Sequence, residues 1–299
     1  MSRRFYTLDV FTDTKLAGNP LAVVLDAEGL DAKRMQAITR EFNLSETVFV
    51  LPPEAPGHAA RLRIFTPGQE LPFAGHPTVG TAVLLAKLHG QQDSADLILG
   101  ETVGPVEAHI EDIASDAPKA TFTLPRLPEQ AGEAPGLAAV AAAIGLDPDD
   151  LGFDAHQVGV FAAGVTFTCI PVKSLTLIGR ARVVAGEWDA GIAGLGHKAA
   201  YLYTREVKRL GSAFHARMFS PAFGIGEDPA TGAAAAAFAG ALMQYEYLPD
   251  GTHVLQLEQG FEMGRPSLIT LTMEVQNQAL VKASIAGRAT IVSEGTLHL

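Results

Sequence analysis

Residues 65–88 open on Phe65-Thr66-Pro67, pass through Ala74-Gly75-His76-Pro77-Thr78-Val79-Gly80-Thr81-Ala82 and run on as Val83-Leu84-Leu85-Ala86-Lys87-Leu88. Residues 219–243 open on Phe219-Ser220-Pro221, pass through Gly226-Glu227-Asp228-Pro229-Ala230-Thr231-Gly232-Ala233-Ala234 and continue through a second apolar run to Met243. Pro229 lies 152 residues after Pro77, and Gly232 and Ala234 lie the same distance after Gly80 and Ala82. In that frame Glu46-Thr47-Val48-Phe49-Val50 stands opposite Lys198-Ala199-Ala200-Tyr201-Leu202. Short Gly/Pro/Ala strings recur by chance, but a shared order over such a length favours two copies of one unit, in which a strand leads through a loop into a helix.

Proline belongs in the first helical turn, where its missing N–H breaks no hydrogen bond. The sequence therefore predicts helices starting at Pro77 and Pro229, with His76 and Asp228 as their N-caps. Val79–Leu85 and Ala233–Leu242 carry no polar face, so each helix should be buried on all sides, threaded through a curled sheet. A buried helix start presents free N–H groups and the positive end of the macrodipole. Here those amides would come from Thr78 and Val79, and from Ala230, Thr231 and Gly232. Facing each other, two such ends would hold a small carboxylate. Asp228 taken alone is equally well read as the cap of its own helix.

Working outward, the remaining chain reads as short strands with few helices and no strict βαβα alternation. Strands are predicted at Phe5–Phe11, Ala22–Leu25, Thr47–Leu51, Arg61–Phe65, Gly104–Ile110, Lys119–Leu124 and Val158–Val172. Others are predicted at Ala199–Thr204, Phe214–Phe219, Val254–Gln259, Ser267–Val275 and Leu280–Ala286. Helices are predicted at Asp31–Phe42 and Ala134–Ile144. Pro125 to Pro135 is the best linker. This divides the 299 residues into an N-terminal lobe, 1–125, and a C-terminal lobe, 126–299.

Composition bounds the function. With 22 Lys+Arg against 33 Asp+Glu the net charge is −11, which disfavours nucleic acid and anionic membrane surfaces as partners. There is no long uncharged apolar run and no signal-peptide core near the N-terminus, so a cytoplasmic location is expected. The single Cys169 excludes disulfides, Cys-rich metal sites and any chemistry that needs two thiols in one subunit. The nine histidines form no H-E-x-x-H pattern. Gly191, Gly194 and Gly196 have the wrong spacing for a dinucleotide turn, and no phosphate-binding Gly-Lys-Ser/Thr occurs. Neither a metal nor a cofactor is expected.

Asn43-Leu44-Ser45-Glu46-Thr47, Leu71-Pro72-Phe73-Ala74-Gly75-His76-Pro77-Thr78-Val79-Gly80 and Glu227-Asp228-Pro229-Ala230-Thr231-Gly232 together resemble the phenazine-biosynthesis isomerase (PhzF-like) family. Gly18-Asn19-Pro20, Gln259-Gly260 and Met263-Gly264-Arg265-Pro266-Ser267 add to the likeness. The resemblance implies the diaminopimelate-epimerase-like α+β fold. In it two similar lobes each wrap a curled sheet around a central helix, the active site lies between them, and residues from about 280 return to the first lobe. It also implies a homodimer.

The same resemblance makes Glu46 the catalytic proton shuttle, with His76 and Asp228 supporting binding and proton transfer. Ser45 and Gly75 match substrate-contact positions, and Thr78, Thr231, Gly232 and Ala233 complete the expected pocket. Taken alone Glu46 would read as an exposed glutamate. At the mouth of a buried strand, desolvation would make it a usable acid and base. Ala233 departs from the family, which commonly has Ser there, so a pocket hydroxyl is missing. Cys169 reads as a buried structural residue, which removes the two-thiol racemases of this fold. The expected function is a cofactor-independent isomerase acting on a small carboxylate. The alternatives are a non-catalytic metabolite-binding protein and an epimerase of an unusual amino or hydroxy acid.

Overall fold

The computed structural model describes residues 2–196 and 199–299, so Lys198, at the edge of the repeat, lies outside the described residues. The chain divides into two compact units. Unit 1 is Met1–Pro125 with Arg265–Ser267 and Ala286–Leu299; unit 2 is Arg126–Gly264 with Leu268–Ile285. The fold is α+β.

Unit 1 contains β1 (Ser2–Val10), β2 (Asn19–Val24), α1 (Ala32–Phe42), β3 (Glu46–Leu51), β4 (Ala60–Phe65), β5 (Glu70–Leu71), α2 (Gly75–Leu88), β6 (Ser94–Glu101), β7 (Gly104–Glu111) and β8 (Lys119–Thr123). β1 pairs antiparallel with β2, β2 parallel with β3, β3 antiparallel with β4, and β4 parallel with β6. β6, β7 and β8 follow as antiparallel neighbours. The ring closes through the last strand of the chain, which pairs with both β8 and β1.

Unit 2 contains β9 (Glu129–Gln130), α3 (Leu137–Ile144), β10 (Gly159–Ala162), β11 (Thr166–Pro171), α4 (Leu175–Arg180), α5 (Ala185–Gly191), β12 (Ala200–Thr204), β13 (Phe214–Ser220), β14 (Ile225–Asp228), α6 (Gly232–Tyr245), β15 (Gly251–Gln259), β16 (Ser267–Gln276) and β17 (Ala279–His298), the last two running into unit 1 by sequence. Its pairings repeat those of unit 1: β10 antiparallel to β11, β11 parallel to β12, β12 antiparallel to β13, and β13 parallel to β15. The register matches as well. Arg61 pairs with Gly100 in unit 1 as His215 pairs with Glu258 in unit 2, so Glu101 and Gln259 occupy equivalent places, one residue further on.

Each unit is built around its apolar helix. Gly75 through Ala86 of α2 are buried, and the helix packs on β1, β2, β3, β6, β7 and β8. A Cβ on Gly80 would stand 2.6 Å from Leu21 and 2.7 Å from Val10, so this glycine allows α2 to lie against β1 and β2. In α6, Phe238 sits among the rings of Tyr201, Tyr203 and Phe214. Tyr201 and Tyr203 are both fully buried in this core. Cys169 is fully buried on β11, and burial pushes its thiol up.

Three readings need correction. Val158–Val172 is not one strand: it is the hairpin β10–β11, turned at Gly164, whose φ of 96° is open to glycine. α2 begins at Gly75 with Ala74 as N-cap, so His76 lies inside the first turn. Pro77 is still within that turn, where no donor is lost. α6 begins at Gly232 with Thr231 as N-cap, and Asp228 ends β14. The residue before a proline is pushed to extended backbone, which suits Asp228 to a strand end.

Candidate active site

In unit 1, α1 stops at Asn43, which turns the chain in the left-handed region (φ 51°) and delivers it into β3 with Glu46 as first residue. Ser45, just before it, is half-buried, while Glu46 is only 8% exposed. Parallel pairing sets Glu46 beside Leu21 of β2. Glu46 Oε2 lies 3.3 Å from Nδ1 of His76, and Asn19 Nδ2 lies 3.3 Å from the same nitrogen. Burial pulls the His76 imidazole down to about 3, despite a hydrogen bond to the Pro20 carbonyl, so it is neutral at pH 7. Its Nε2 is buried without a hydrogen-bond partner among the described residues. Glu46 and His76 therefore meet as a carboxyl and a neutral imidazole rather than as an ion pair.

The Asn19 contact depends on its loop. A Cβ on Gly18 would fall 2.4 Å from the Val10 carbonyl, and its φ is 65°. Arg265 donates to the carbonyls of Gly18 and Ala17, each at 2.7 Å, and pairs with Asp9. Asp9 in turn accepts the Leu16 N–H at 2.6 Å. The Gly18-Asn19-Pro20 and Arg265-Pro266-Ser267 segments, far apart in sequence, are thus one fastening.

Gly75 opens α2. Thr78, three residues on, has its hydroxyl oxygen 2.8 Å from the Ala74 carbonyl and 2.7 Å from Glu101 Oε1, and its N–H donates to the Ala74 carbonyl (3.2 Å). The expectation that the Thr78 amide is free for a ligand is therefore overturned: the earlier helix start takes it into the helix. Glu101 was missed altogether. It ends β6, a strand not predicted, on the inward face with Ala95, Leu97 and Leu99. Burial raises its carboxyl to about 8 against the opposing Thr78 hydrogen bond.

In unit 2, Asp228 is 4% exposed and its Oδ2 accepts the Thr231 hydroxyl at 2.5 Å. Gln259, fully buried, donates from Nε2 to the Asp228 carbonyl (2.7 Å) and to Thr231 Oγ1 (3.1 Å), and accepts the Thr231 N–H on Oε1 (3.3 Å). The Thr231 amide is thus also committed within the protein. Gly232 and Ala233 open α6, Gly232 buried and Ala233 half-buried. Next to Asp228, Glu227 takes a bidentate pair from Arg217, both bonds at 2.8 Å, which fixes β14 against β13. Behind Gln259, His215 lies between Glu258 (2.8 Å) and Glu262 (3.1 Å). Among the described residues no three His, Cys, Asp or Glu side chains are grouped as metal ligands, and no helix is long and apolar enough to cross a membrane.

The predicted residues thus fall into two sets: Ser45, Glu46, Gly75, His76 and Thr78 in unit 1, and Asp228, Thr231, Gly232 and Ala233 in unit 2. Glu46 with His76, and Asp228 with Thr231, are in contact. Asn19 and Gln259 carry site contacts that sequence reasoning did not assign. Their only signal was membership of the Gly-Asn-Pro and Gln-Gly motifs.

Unit 1 thus sets a carboxyl against a neutral buried histidine, in an α+β fold of two repeated units each built around an apolar helix. The family model of phenazine biosynthesis-like proteins (PhzC-PhzF) matches residues 8–295, and the chain belongs to this family. An uncharacterized isomerase of Mesorhizobium japonicum is 48% identical over 301 residues, covering 100% of this chain and 99% of the relative. The trans-2,3-dihydro-3-hydroxyanthranilate isomerase of Pseudomonas aeruginosa is 32% identical, covering 99% of each chain. The crystal structure of a PhzF-family phenazine biosynthesis protein from Bacillus anthracis matches with a TM-score of 0.90 at 27% identity, covering 100% of each chain. By family, this chain is an isomerase.

Proposed function

We propose that the chain moves a proton from one carbon to another of a small carboxylate, with Glu46 as the acid–base group and no cofactor. The observation that carries this reading is Glu46 buried 3.3 Å from an imidazole kept neutral by burial. The ionised Glu46 takes a proton from an activated C–H, and the electron pair moves into the adjacent π system. The protonated Glu46 then returns the proton to a second carbon, so the substrate is isomerised without oxidant or reductant. His76, in contact with Glu46, orients the carboxyl and can hydrogen-bond the substrate. Asp228 meets the substrate from the α6 start. Ser45, Gly75, Gly232 and Ala233 are the proposed contacts nearest these groups in sequence, whereas Thr78 and Thr231 act by shaping the two helix starts.

The name of the P. aeruginosa relative supplies the first compound to try, a cyclic amino-hydroxy carboxylate. Ala233, without a hydroxyl, widens the trial to carboxylates related to it. Incubation in deuterium oxide with trans-2,3-dihydro-3-hydroxyanthranilate and related unsaturated carboxylates tests the reading, with isotope at carbon as the expected result. Carboxylate binding by calorimetry with no exchange from any of them would instead favour a binding protein. The reading also includes a cytoplasmic homodimer and no nucleic-acid or membrane partner; sedimentation would test the dimer.

A further inference from the structure

We infer that Gln259 is a positioning residue that fixes the direction of the hydrogen bonds reaching Asp228, so that Asp228 meets its ligand as an acceptor. This rests on the role given to Asp228 above. Two backbone groups decide which way the Gln259 amide faces. The Thr231 N–H can only donate, so the atom 3.3 Å from it is the oxygen. The Asp228 carbonyl can only accept, so the atom 2.7 Å from it is the nitrogen. Either contact alone would assign the amide; together they leave no alternative flip.

The assignment propagates. Nε2 donates to Thr231 Oγ1 at 3.1 Å, so the hydroxyl must accept there. A hydroxyl has one proton, and with Gln259 as a donor that proton goes to Asp228 Oδ2, 2.5 Å away. That separation is in the range of a hydrogen bond to an ionised carboxylate. Gln259 is itself held still. It is fully buried, paired with Ala216 across β13–β15, and follows Glu258, which accepts the Lys208 and Arg209 amides at 2.6 and 2.9 Å. The direction is thus set before any substrate arrives, which is what positioning requires.

Unit 1 offers the contrast. The equivalent place holds Glu101, whose Oε2 is buried without a hydrogen-bond partner among the described residues. Burial keeps the Glu101 carboxyl neutral up to about 8, so a glutamate at 259 would be ionised, with no proton to give, above that pH. It would face the Asp228 carbonyl oxygen and draw the Thr231 proton to itself, away from Asp228.

The test compares Gln259→Glu, Gln259→Met, Thr231→Val and Asp228→Asn with the wild type, using trans-2,3-dihydro-3-hydroxyanthranilate as the probe and melting temperature as the folding control. Assayed above pH 8, where a carboxyl buried like Glu101 is ionised, Gln259→Glu should lower kcat by about 100-fold, the cost typical of losing a preorganised donor. KM should stay within roughly threefold, because the loss falls on the transition state. Gln259→Met, equal in length and apolar, should lower kcat less than Gln259→Glu whatever the order of their melting temperatures. In the Thr231→Val background the Gln259→Glu loss should shrink, since the hydroxyl that carries it is gone. A Gln259→Glu or Gln259→Met protein that is folded with wild-type kcat while Asp228→Asn is inactive overturns this inference alone. An Asp228→Asn protein with full activity overturns the role of Asp228, and this inference with it.

Discussion

Near the start of α2 two buried titratable groups are kept neutral: burial holds His76 down to about 3 and Glu101 up to about 8. Behind the start of α6 the buried groups are paired, and the pairing favours their charged forms. His215, 0% exposed, is raised, because hydrogen bonds to Glu258 and Glu262 outweigh its burial. Glu262 is held at about 2, burial being outweighed by His215 and Lys208. Two copies of one topology have thus met the cost of burying polar groups in the two available ways, by neutralising them or by satisfying them. On the neutral side, the group that touches Glu46 is an uncharged imidazole. On the charge-paired side, Glu258 is bonded by His215 and by the Lys208 and Arg209 amides, one residue before Gln259.

The largest stability effect should come from removing the histidine on the paired side. His215→Ala leaves two glutamates at a site built for three groups, and should cost about 3–5 kcal/mol, the usual penalty for breaking a buried pair from one side. Chemical denaturation would measure it, and a loss below about 1 kcal/mol would mean that the cluster is not charged. The pH signs differ within the cluster. His215 has a raised folded pKa, so its contribution is complete below its unfolded value of 6.5 and is lost as pH rises through the folded one. Glu258 and Glu262 have lowered pKa values, so theirs is present above 4.5 and lost as pH falls.

Gly80→Ala should come next, at about 1–3 kcal/mol, since its methyl would overlap Leu21 and Val10. A neutral result in a thermal melt would mean that α2 can shift within its sheet.

Glu101→Gln probes the neutral side. Glu101 is an acid whose folded value of about 8 exceeds its ordinary 4.5, so the stability tied to its proton is complete below 4.5 and lost by about 8. Relative to Glu101→Gln, the wild type should lose up to about 1 kcal/mol per pH unit across that window. His76 has the opposite sign: its folded value lies below 6.5, so stability present above 6.5 is lost as pH falls towards 3. A wild-type-to-variant difference that does not change with pH would show Glu101 to be ionised throughout.

Much of this fold was legible in the sequence because duplication leaves its mark on motifs, and because an apolar helix admits only one kind of environment. The Pro77 and Pro229 motifs located both helices but not their first residues. Proline is tolerated both within a first turn, as Pro77 is in α2, and in the extended lead-in before the N-cap, as Pro229 is before Thr231, so it cannot choose between them. β6 was invisible because its outward positions, Ser94 and Asp96, give it a polar start. The turn at Gly164 was hidden inside an apolar run. Glu46, His76 and Asp228 were singled out as candidates through their motifs. The roles of Asn19, Glu101 and Gln259 were not legible, because each depends on a contact between segments whose separation no local pattern encodes. Asn19 reaches His76 across 57 residues, and Gln259 reaches Asp228 across 31.

The central claim is that Glu46 moves the proton. The rate at which solvent deuterium enters carbon-bound positions of trans-2,3-dihydro-3-hydroxyanthranilate, followed by mass spectrometry for wild type and Glu46→Gln at equal folded concentration, tests it most directly. Exchange by the wild type, with a loss of about 1,000-fold in Glu46→Gln, is the predicted result. Exchange by Glu46→Gln at the wild-type rate would contradict it.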